Sequence, residues 1–584
     1  LECGCKDYFE CQLVDYIKKY EVDTEKYHAD NEKKFKETDH PFISQNVDKC
    51  ILCGLCVRTC DERVGASALG FVERGNETFI APAFQQELKA TSCISCGQCI
   101  DVCPTGAWLD RRDNMKEIPL NLEQTKSVCS YCSVGCEIVY EHKDNMVYLA
   151  SSKENEIPAC GKGKFGIEHI NNENRLLQPK VKVKGNYESA ALNTALFETA
   201  KRLRSIQNMY GDDQIAFVVS PKLTNEEFKY IKAVADELNT SYKGSFMIEP
   251  EAGIEAVLGK NESTITAEEL DNADLIISAG QLYEHHPAAG MKLRRLSNTK
   301  KIISASTIKT KLDNFAVKAD LTEYEVFFTR VLKALVDNGV IKKETISGYE
   351  NGEELIKVLD KIEVLPEAAK VAEAFKKAKK PIIVADENTV PKAALKVLAD
   401  ITVLAGNDRR PHRGLIVLKA KANSQGAWNI GFRTPGEEIK KALLNNELKG
   451  LVVIGEDVLG NVPELKKAVG NLKFFAAFDI MENETTAKAE YVLPLCSIAE
   501  SNGTIVSADG TVRNVVQAIK PLTGMSNLEM FAKLAELLNA VYKEDAKDEA
   551  KVKLYVPSLN SKEREYEVFD TVEKAYLARL KENC

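Results

Sequence analysis

Fifteen of the seventeen cysteines lie before residue 161, and only Cys496 and Cys584 lie beyond it. No other feature narrows the fold as much. Disulfide scaffolds are short and poor in core, whereas this chain runs to 584 residues and crowds its cysteines, in repeated short spacings, at one end. Metal clusters are held in this way. The length exceeds what a single core supports, so several domains are expected. Apolar content of 44% and charged content of 28% are those of a soluble globular protein, and a net charge of −9 argues against nucleic acid as a partner. We find no apolar run of roughly eighteen residues and no signal-peptide pattern, which points to no membrane partner and a cytoplasmic location.

Two near-copies of one motif stand out: Cys50-Ile51-Leu52-Cys53-Gly54-Leu55-Cys56, and Cys93-Ile94-Ser95-Cys96-Gly97-Gln98-Cys99. A [4Fe–4S] cube needs four thiolates, and a C-x2-C-x2-C loop supplies three while a more distant cysteine supplies the fourth. In the two-cluster ferredoxin pattern the last cysteine of each run serves the other cube. Cys50, Cys53, Cys56 and Cys103 are therefore assigned to one cube, and Cys93, Cys96, Cys99 and Cys60 to the other. Gly54 and Gly97 suit a chain folding tightly around a cube. Pro104 follows the last cysteine as in bacterial ferredoxins, although Cys60 is followed by Asp61 instead. A pair of zinc ribbons is the competing reading, but zinc favours two cysteine pairs over a triple run. A third group, Cys129, Cys132, Cys136 and Cys160, again offers four thiolates for one cube. Here structural zinc stays open, because its ligand spacings are similar.

Residues 1–48 read as a cysteine motif followed by a helical linker, with loosely helical spacing from Leu13 to Lys36. Residues 49–112 hold the two repeats, a charged connector runs from Arg111 to Lys126, and residues 127–175 hold the third cysteine group. From 176 to 584 the texture is α/β. Short apolar runs at Ile215–Ser220, Leu275–Gly280, Ile302–Ser306, Ile382–Asp386, Leu451–Gly455 and Phe474–Asp479 alternate with helical stretches such as Glu226–Leu238 and Ala368–Lys379. The expected fold class is α/β: ferredoxin-like iron–sulfur modules, then a doubly wound parallel sheet whose ligands sit beyond the strand carboxyl ends.

The segment Cys129 to Gly166, with Cys160-Gly161-Lys162-Gly163 and Phe165-Gly166, resembles the opening of the molybdopterin oxidoreductases. That family includes formate dehydrogenases and the large iron–sulfur subunit of respiratory complex I. The resemblance continues through Ser220–Glu227, Asp274–Gly280, His286-Pro287 with Gly290, Asn423–Ala427 and Glu500-x2-Gly503-Thr504. It implies that Lys162 matches the family lysine between cube and pterin, where a cation eases electron passage; a solvated loop lysine is the bland alternative. Pterin-contacting loops map near Gly280, Gln281, Asn423, Gln425, Asp479 and Asn502, residues that equally suit ordinary turns.

Formate dehydrogenases of this family bind molybdenum or tungsten through a cysteine or selenocysteine upstream of the segment matching Asp274–Gly280. The corresponding stretch, Ser241 to Pro250, has no thiolate, and Ser241 or Ser245 would have to ligate through oxygen. The block after Glu500–Val515 also leaves little for the family's closing β-barrel domain. A Mo/W-pterin is therefore not expected, no catalytic residue is assigned, and the domain more closely resembles the complex I type. His285 and His286 read as structural residues at a strand-to-helix turn.

Cys3, Cys5 and Cys11 are three further ligands without a fourth. The opening resembles fusions in which an NADPH-binding flavin domain, similar to the glutamate synthase small subunit, precedes a ferredoxin array. A fourth cluster and an upstream flavin part are expected on that basis. The sequence thus reads as the electron-relay part of a hetero-oligomeric NAD(P)H:ferredoxin oxidoreductase, in the manner of a bifurcating transhydrogenase. It would carry three or four clusters between flavoprotein partners and ferredoxin. The rival is the catalytic Mo/W-pterin subunit of a formate dehydrogenase.

Overall fold

The computed structural model describes residues 12–23, 26, 39–111, 121–152, 158–247, 254–306, 315–318, 323–408, 410–545, 552–558 and 568–569. Cys3, Cys5 and Cys11 lie outside the described residues, as does half of the expected helix from Leu13 to Lys36; a helix is seen at Gln12–Lys19. The chain divides into two compact units. Residues 1–129 and 136–172 form the first; residues 130–135 and 173–584 form the second.

The first unit is built of short pieces, because cysteine loops leave little room for long elements. Its amino-terminal part pairs Ile43–Gln45 antiparallel with Trp108–Asp110, and Gly70–Val72 with Phe79–Ala81. Ile43, Cys56, Leu69, Ile80, Leu88, Trp108 and Phe165 make its small core, with Cys50, Cys60, Cys93, Cys99 and Cys103 packed against them. So few apolar residues supply little burial energy, at roughly 1.5–3 kcal/mol for each large side chain. A three-stranded antiparallel sheet follows, Glu123–Val128, Glu137–Lys143 and Met146–Ser151. The charged connector thus ends before Glu123 rather than at Lys126. The polar run Glu-Gln-Thr-Lys carries only a weak strand pattern because its first residues face solvent.

The second unit contains two mainly parallel sheets. The first has the strand order Thr434–Pro435, Lys243–Ser245, Ile215–Val219, Gly450–Ile454, Phe474–Asp479, Tyr491–Pro494, Lys180–Val183 and Asn186–Ser189, the last two added antiparallel. In the second, Gly414–Leu418, Pro381–Asp386, Leu275–Ala279, Lys301–Ser306 and Phe315–Lys318 run parallel, with Val568–Phe569 antiparallel at the edge. The central strands are buried at every residue, as sheets covered on both faces require. Helices Leu192–Tyr210, Asn225–Glu237 and Asn527–Leu538 pack on one face of the first sheet, and Tyr324–Asp337, Pro366–Lys377 and Lys392–Leu404 on one face of the second. Asn225–Glu237 starts at a reciprocal capping box, in which Thr224 Oγ1 accepts from the Glu227 amide and Glu227 accepts from the Thr224 amide.

Each sheet reverses its strand order once. The crevices fall between Ile215–Val219 and Gly450–Ile454 in the first sheet, and between Leu275–Ala279 and Pro381–Asp386 in the second. Ligands of doubly wound sheets bind at such places. Among the described residues no helix is long and apolar enough to cross a membrane.

Candidate functional site

The two cysteine runs fold alike. Leu52 and Ser95 take φ of 56° and 55°, Gly54 and Gly97 take 72° and 69°, and a one-turn helix follows each, Leu55–Arg58 and Gln98–Asp101. The Leu52 and Ser95 amides each donate to the sulfur two residues earlier, Cys50 and Cys93, at 3.4 Å, and the Ala68 amide donates to Cys60 Sγ at 3.2 Å. Amide bonds to sulfur are a lever on cluster potential.

The crossed sets come together in space. Cys56 has Cys103, Cys50 and Cys53 as its charged neighbours; Cys99 has Cys96, Cys93 and Cys60. Burial pushes the Cys56 and Cys96 thiols up to about 12 and raises Cys99 well above the ordinary range, and the neighbouring sulfurs add to the shift. Burial and mutual repulsion favour the neutral thiols here, and iron bound by all four sulfurs would hold them as thiolates instead. Among the described residues no three His, Cys, Asp or Glu converge tightly enough for a single ion. A cube takes one thiolate on each of four irons and so needs the wider spacing. The donor sets fit clusters.

In the third group, the Cys129 amide donates to Cys136 O at 2.9 Å where the strand pair Glu123–Val128 and Glu137–Lys143 closes. Cys160 caps the helix Gly161–Phe165, and a Cβ on Gly163 would stand 3.0 Å from Cys129 Sγ, so that glycine leaves the sulfur its space. Cys132 sits in the loop 130–135 of the second unit, where the Lys419 amide donates to Ser133 Oγ at 2.6 Å and the Ala508 amide to Ser133 O at 2.9 Å. Lys162 is exposed, and Lys164 on the same helix is buried. Sequence reasoning missed Lys164, because lysine is exposed by default and its partner Gly97 lies 67 residues away in the chain.

Asp386 anchors the crevice of the second sheet. With 0% exposure it binds His285 Nδ1 at 2.7 Å, His286 Nε2 at 3.1 Å and the Thr389 hydroxyl at 2.7 Å. Burial alone would raise its carboxyl, but the bonds from His286, Thr389 and His285 outweigh it and hold the group well below the usual carboxylate range. His286 is fully buried; burial would lower it, yet Asp386 and the neighbouring Cys132 raise it to about 9. At the first sheet's crevice, burial pushes Glu456 up to about 8, against the opposing bonds from Ser245 and the Phe246 amide. Its carboxyl meets Ser245 Oγ at 3.2 Å and accepts from the Phe246 amide at 3.1 Å. Ser245 is thereby engaged with protein.

The pterin-loop positions divide. Asn423 donates to Leu223 O and accepts from the Val506 amide, Asp479 accepts from the Ile480 amide and Asn483, and Asn502 donates to Gln517. Asp479 thus serves its own turn, while Asn423 and Asn502 tie separate segments together. Gln425, at 0% exposure, keeps Oε1 buried without a protein partner, as does the Ser220 hydroxyl beside Gly455. Such orphaned groups fit a polar ligand, while the described residues 241–247 hold no thiol.

Comparison with known proteins agrees with this architecture. The family description "Molybdopterin oxidoreductase" matches residues 175–537, "Molybdopterin oxidoreductase Fe4S4 domain" matches 122–172, and "NADH-quinone oxidoreductase subunit 3, ferredoxin-like domain" matches 40–109. The NADPH-Fe(3+) oxidoreductase subunit alpha of Geobacter sulfurreducens is 26% identical over 89% of this chain and 68% of its own length. The probable oxidoreductase YjgC of Bacillus subtilis is 23% identical over 89% of this chain and 64% of its own, so the chain spans about two thirds of such relatives. A putative formate dehydrogenase of Staphylococcus aureus is 25% identical over the same shares. Among solved structures, acetylene hydratase from Pelobacter acetylenicus shares the fold, with a TM-score of 0.60 at 14% identity over 71% of this chain and 69% of that one.

Proposed function

The chain belongs to the molybdopterin oxidoreductase family, and from that premise we propose that it is an iron–sulfur electron relay of an NAD(P)H/ferredoxin oxidoreductase complex, without a substrate-transforming metal of its own. The observation that carries this reading is the thiol inventory of the family domain. Between Cys160 and the final residue the one cysteine is Cys496, and it is spoken for: 5% exposed, its thiol pushed up to about 12 by burial, its sulfur in contact with Thr523 Oγ1 and Met525 O. Within the matched residues 175–537 no other thiol is present to fix molybdenum or tungsten as a cysteine ligand would.

Under this reading Cys50, Cys53, Cys56 and Cys103 hold one cube, Cys93, Cys96, Cys99 and Cys60 a second, and Cys129, Cys132, Cys136 and Cys160 a third, with Cys3, Cys5 and Cys11 serving a fourth. The clusters supply one-electron chemistry. The protein sets their spacing and, through amide–sulfur bonds and burial, their potentials. Hydride oxidation falls to a flavoprotein partner under this reading; the Geobacter relative, an NADPH-Fe(3+) oxidoreductase, is likewise named as one subunit. Electron bifurcation is the form of the reaction that a chain of separate cubes between two flavins serves best. The test is a reduction assay under anaerobic conditions: the cluster-loaded chain bleaches with dithionite but not with NADPH or formate, and bleaches with NADPH once a flavoprotein partner is added. Bleaching by formate alone would make the chain a catalytic subunit and overturn the relay.

A further inference from the structure

The helix Gly161–Phe165 follows directly on Cys160, and its fourth residue reaches into the neighbouring cysteine loop. Lys164 is 4% exposed; its Nζ donates to Gly97 O at 2.6 Å and pairs with the Asp101 carboxylate, itself 5% exposed. Gly97 lies between Cys96 and Cys99, and Asp101 lies two residues past Cys99, so the ammonium is set into the loop assigned to the second cube. Cys96 and Cys99 both feel its charge. Three further contacts bring the backbone around Cys160 against the same loop. A Cβ on Gly161 would stand 2.3 Å from Ser95 O; Gln98 Nε2 donates to Ala159 O at 3.1 Å and to Ser152 Oγ at 3.0 Å; and a Cβ on Gly97 would meet Phe165 Cζ at 2.5 Å. A buried ammonium costs too much to keep without a partner, and the Gly97 carbonyl and Asp101 both lie in this loop.

We propose that Lys164 is the positioning residue that couples the second and third cubes: it latches the Cys160 segment onto the Cys93–Cys99 loop, and its charge, opposed by Asp101, sets the second cube's potential. The inference rests on the reading of these cysteines as cube ligands. With cubes held by the two cysteine sets, an electron exchanged between them would leave every bond and proton in place. Reduction adds one negative charge to a cube, so a nearby cation favours the reduced state and a nearby carboxylate disfavours it.

The experiment is an anaerobic redox titration, followed by electron paramagnetic resonance, of the full chain loaded with iron and sulfide, with iron counted on each sample. Lys164→Met should lower the second cube's potential by about tenfold in its one-electron equilibrium, ~59 mV. Asp101→Asn should raise it, and Lys164→Arg should stay near the parent. Shifts of opposite sign support the proposal. Shifts of one sign, or none, in iron-replete variants overturn it, since a purely structural latch has no sign. If Lys164→Met fails to hold iron, Asp101→Asn decides alone: a rise supports, its absence overturns. Failure of the parent chain to take up iron at all would instead sink the cluster reading on which the inference stands.

Discussion

Gly97 shows how much one missing side chain decides. At φ 69° it sits in the left-handed region, and an added Cβ would meet Phe165 Cζ at 2.5 Å and Lys164 Cδ at 2.8 Å. Gly75, at φ 60°, has open space around its Cβ direction. Gly75→Ala should therefore cost only the conformational penalty, about 1–2 kcal/mol, while Gly97→Ala adds overpacking of about 1–3 kcal/mol. Paired denaturant titrations measure the difference; equal costs would mean the Phe165 contact is soft. Glu456 makes a prediction of the other kind. Its folded pKa, about 8, lies above its ordinary 4.5, so its contribution to stability is full below pH 4.5 and is lost as pH rises toward 8. Glu456→Gln should flatten that loss, melting at a higher temperature than the parent at pH 9 and showing no such advantage at pH 4. An advantage independent of pH would contradict the assignment. The sequence marked Gly97 through its repeat but gave no sign of Glu456, because a lone acid after a strand reads as a solvated turn residue.

Among elements, strands buried on both faces were the easiest to read. The runs starting near Ile215, Leu275, Ile302, Ile382, Leu451 and Phe474 all form strands within a residue or so of the expected bounds, because a continuous apolar run between turn residues has few alternatives. The hairpin Lys180–Val183 and Asn186–Ser189 went unread, since its exposed Lys, Glu and Asn carry no period that distinguishes an edge strand from a loop. The short helix Gly161–Phe165 also escaped notice as an element, although it inserts Phe165, 3% exposed, into the core that holds both cysteine runs. Phe165→Ala should cost about 3–5 kcal/mol and speed iron loss from the Cys93 cube. The readout is iron release to a chelator under anaerobic conditions, and release at the parent's rate would remove Phe165 from the account.

At the scale of the whole molecule, cysteine-rich modules and a family domain share one chain, and the proposal is a division of labour: clusters on the thiols would carry electrons, and the matched domain, whose one cysteine is buried, would carry no catalytic metal. The cysteine runs stand out by spacing alone, and the fold places Cys60 near Cys93, Cys96 and Cys99, in keeping with the proposed crossed grouping. The histidine–aspartate hub at Asp386 was not legible, since its partners lie about a hundred residues apart in sequence. The most direct measurement is elemental analysis of the anaerobically purified chain for iron, acid-labile sulfide, zinc, molybdenum and tungsten. The account predicts about twelve to sixteen irons per chain with matching sulfide and neither molybdenum nor tungsten. Stoichiometric molybdenum or tungsten would contradict it and make the large domain a catalytic one.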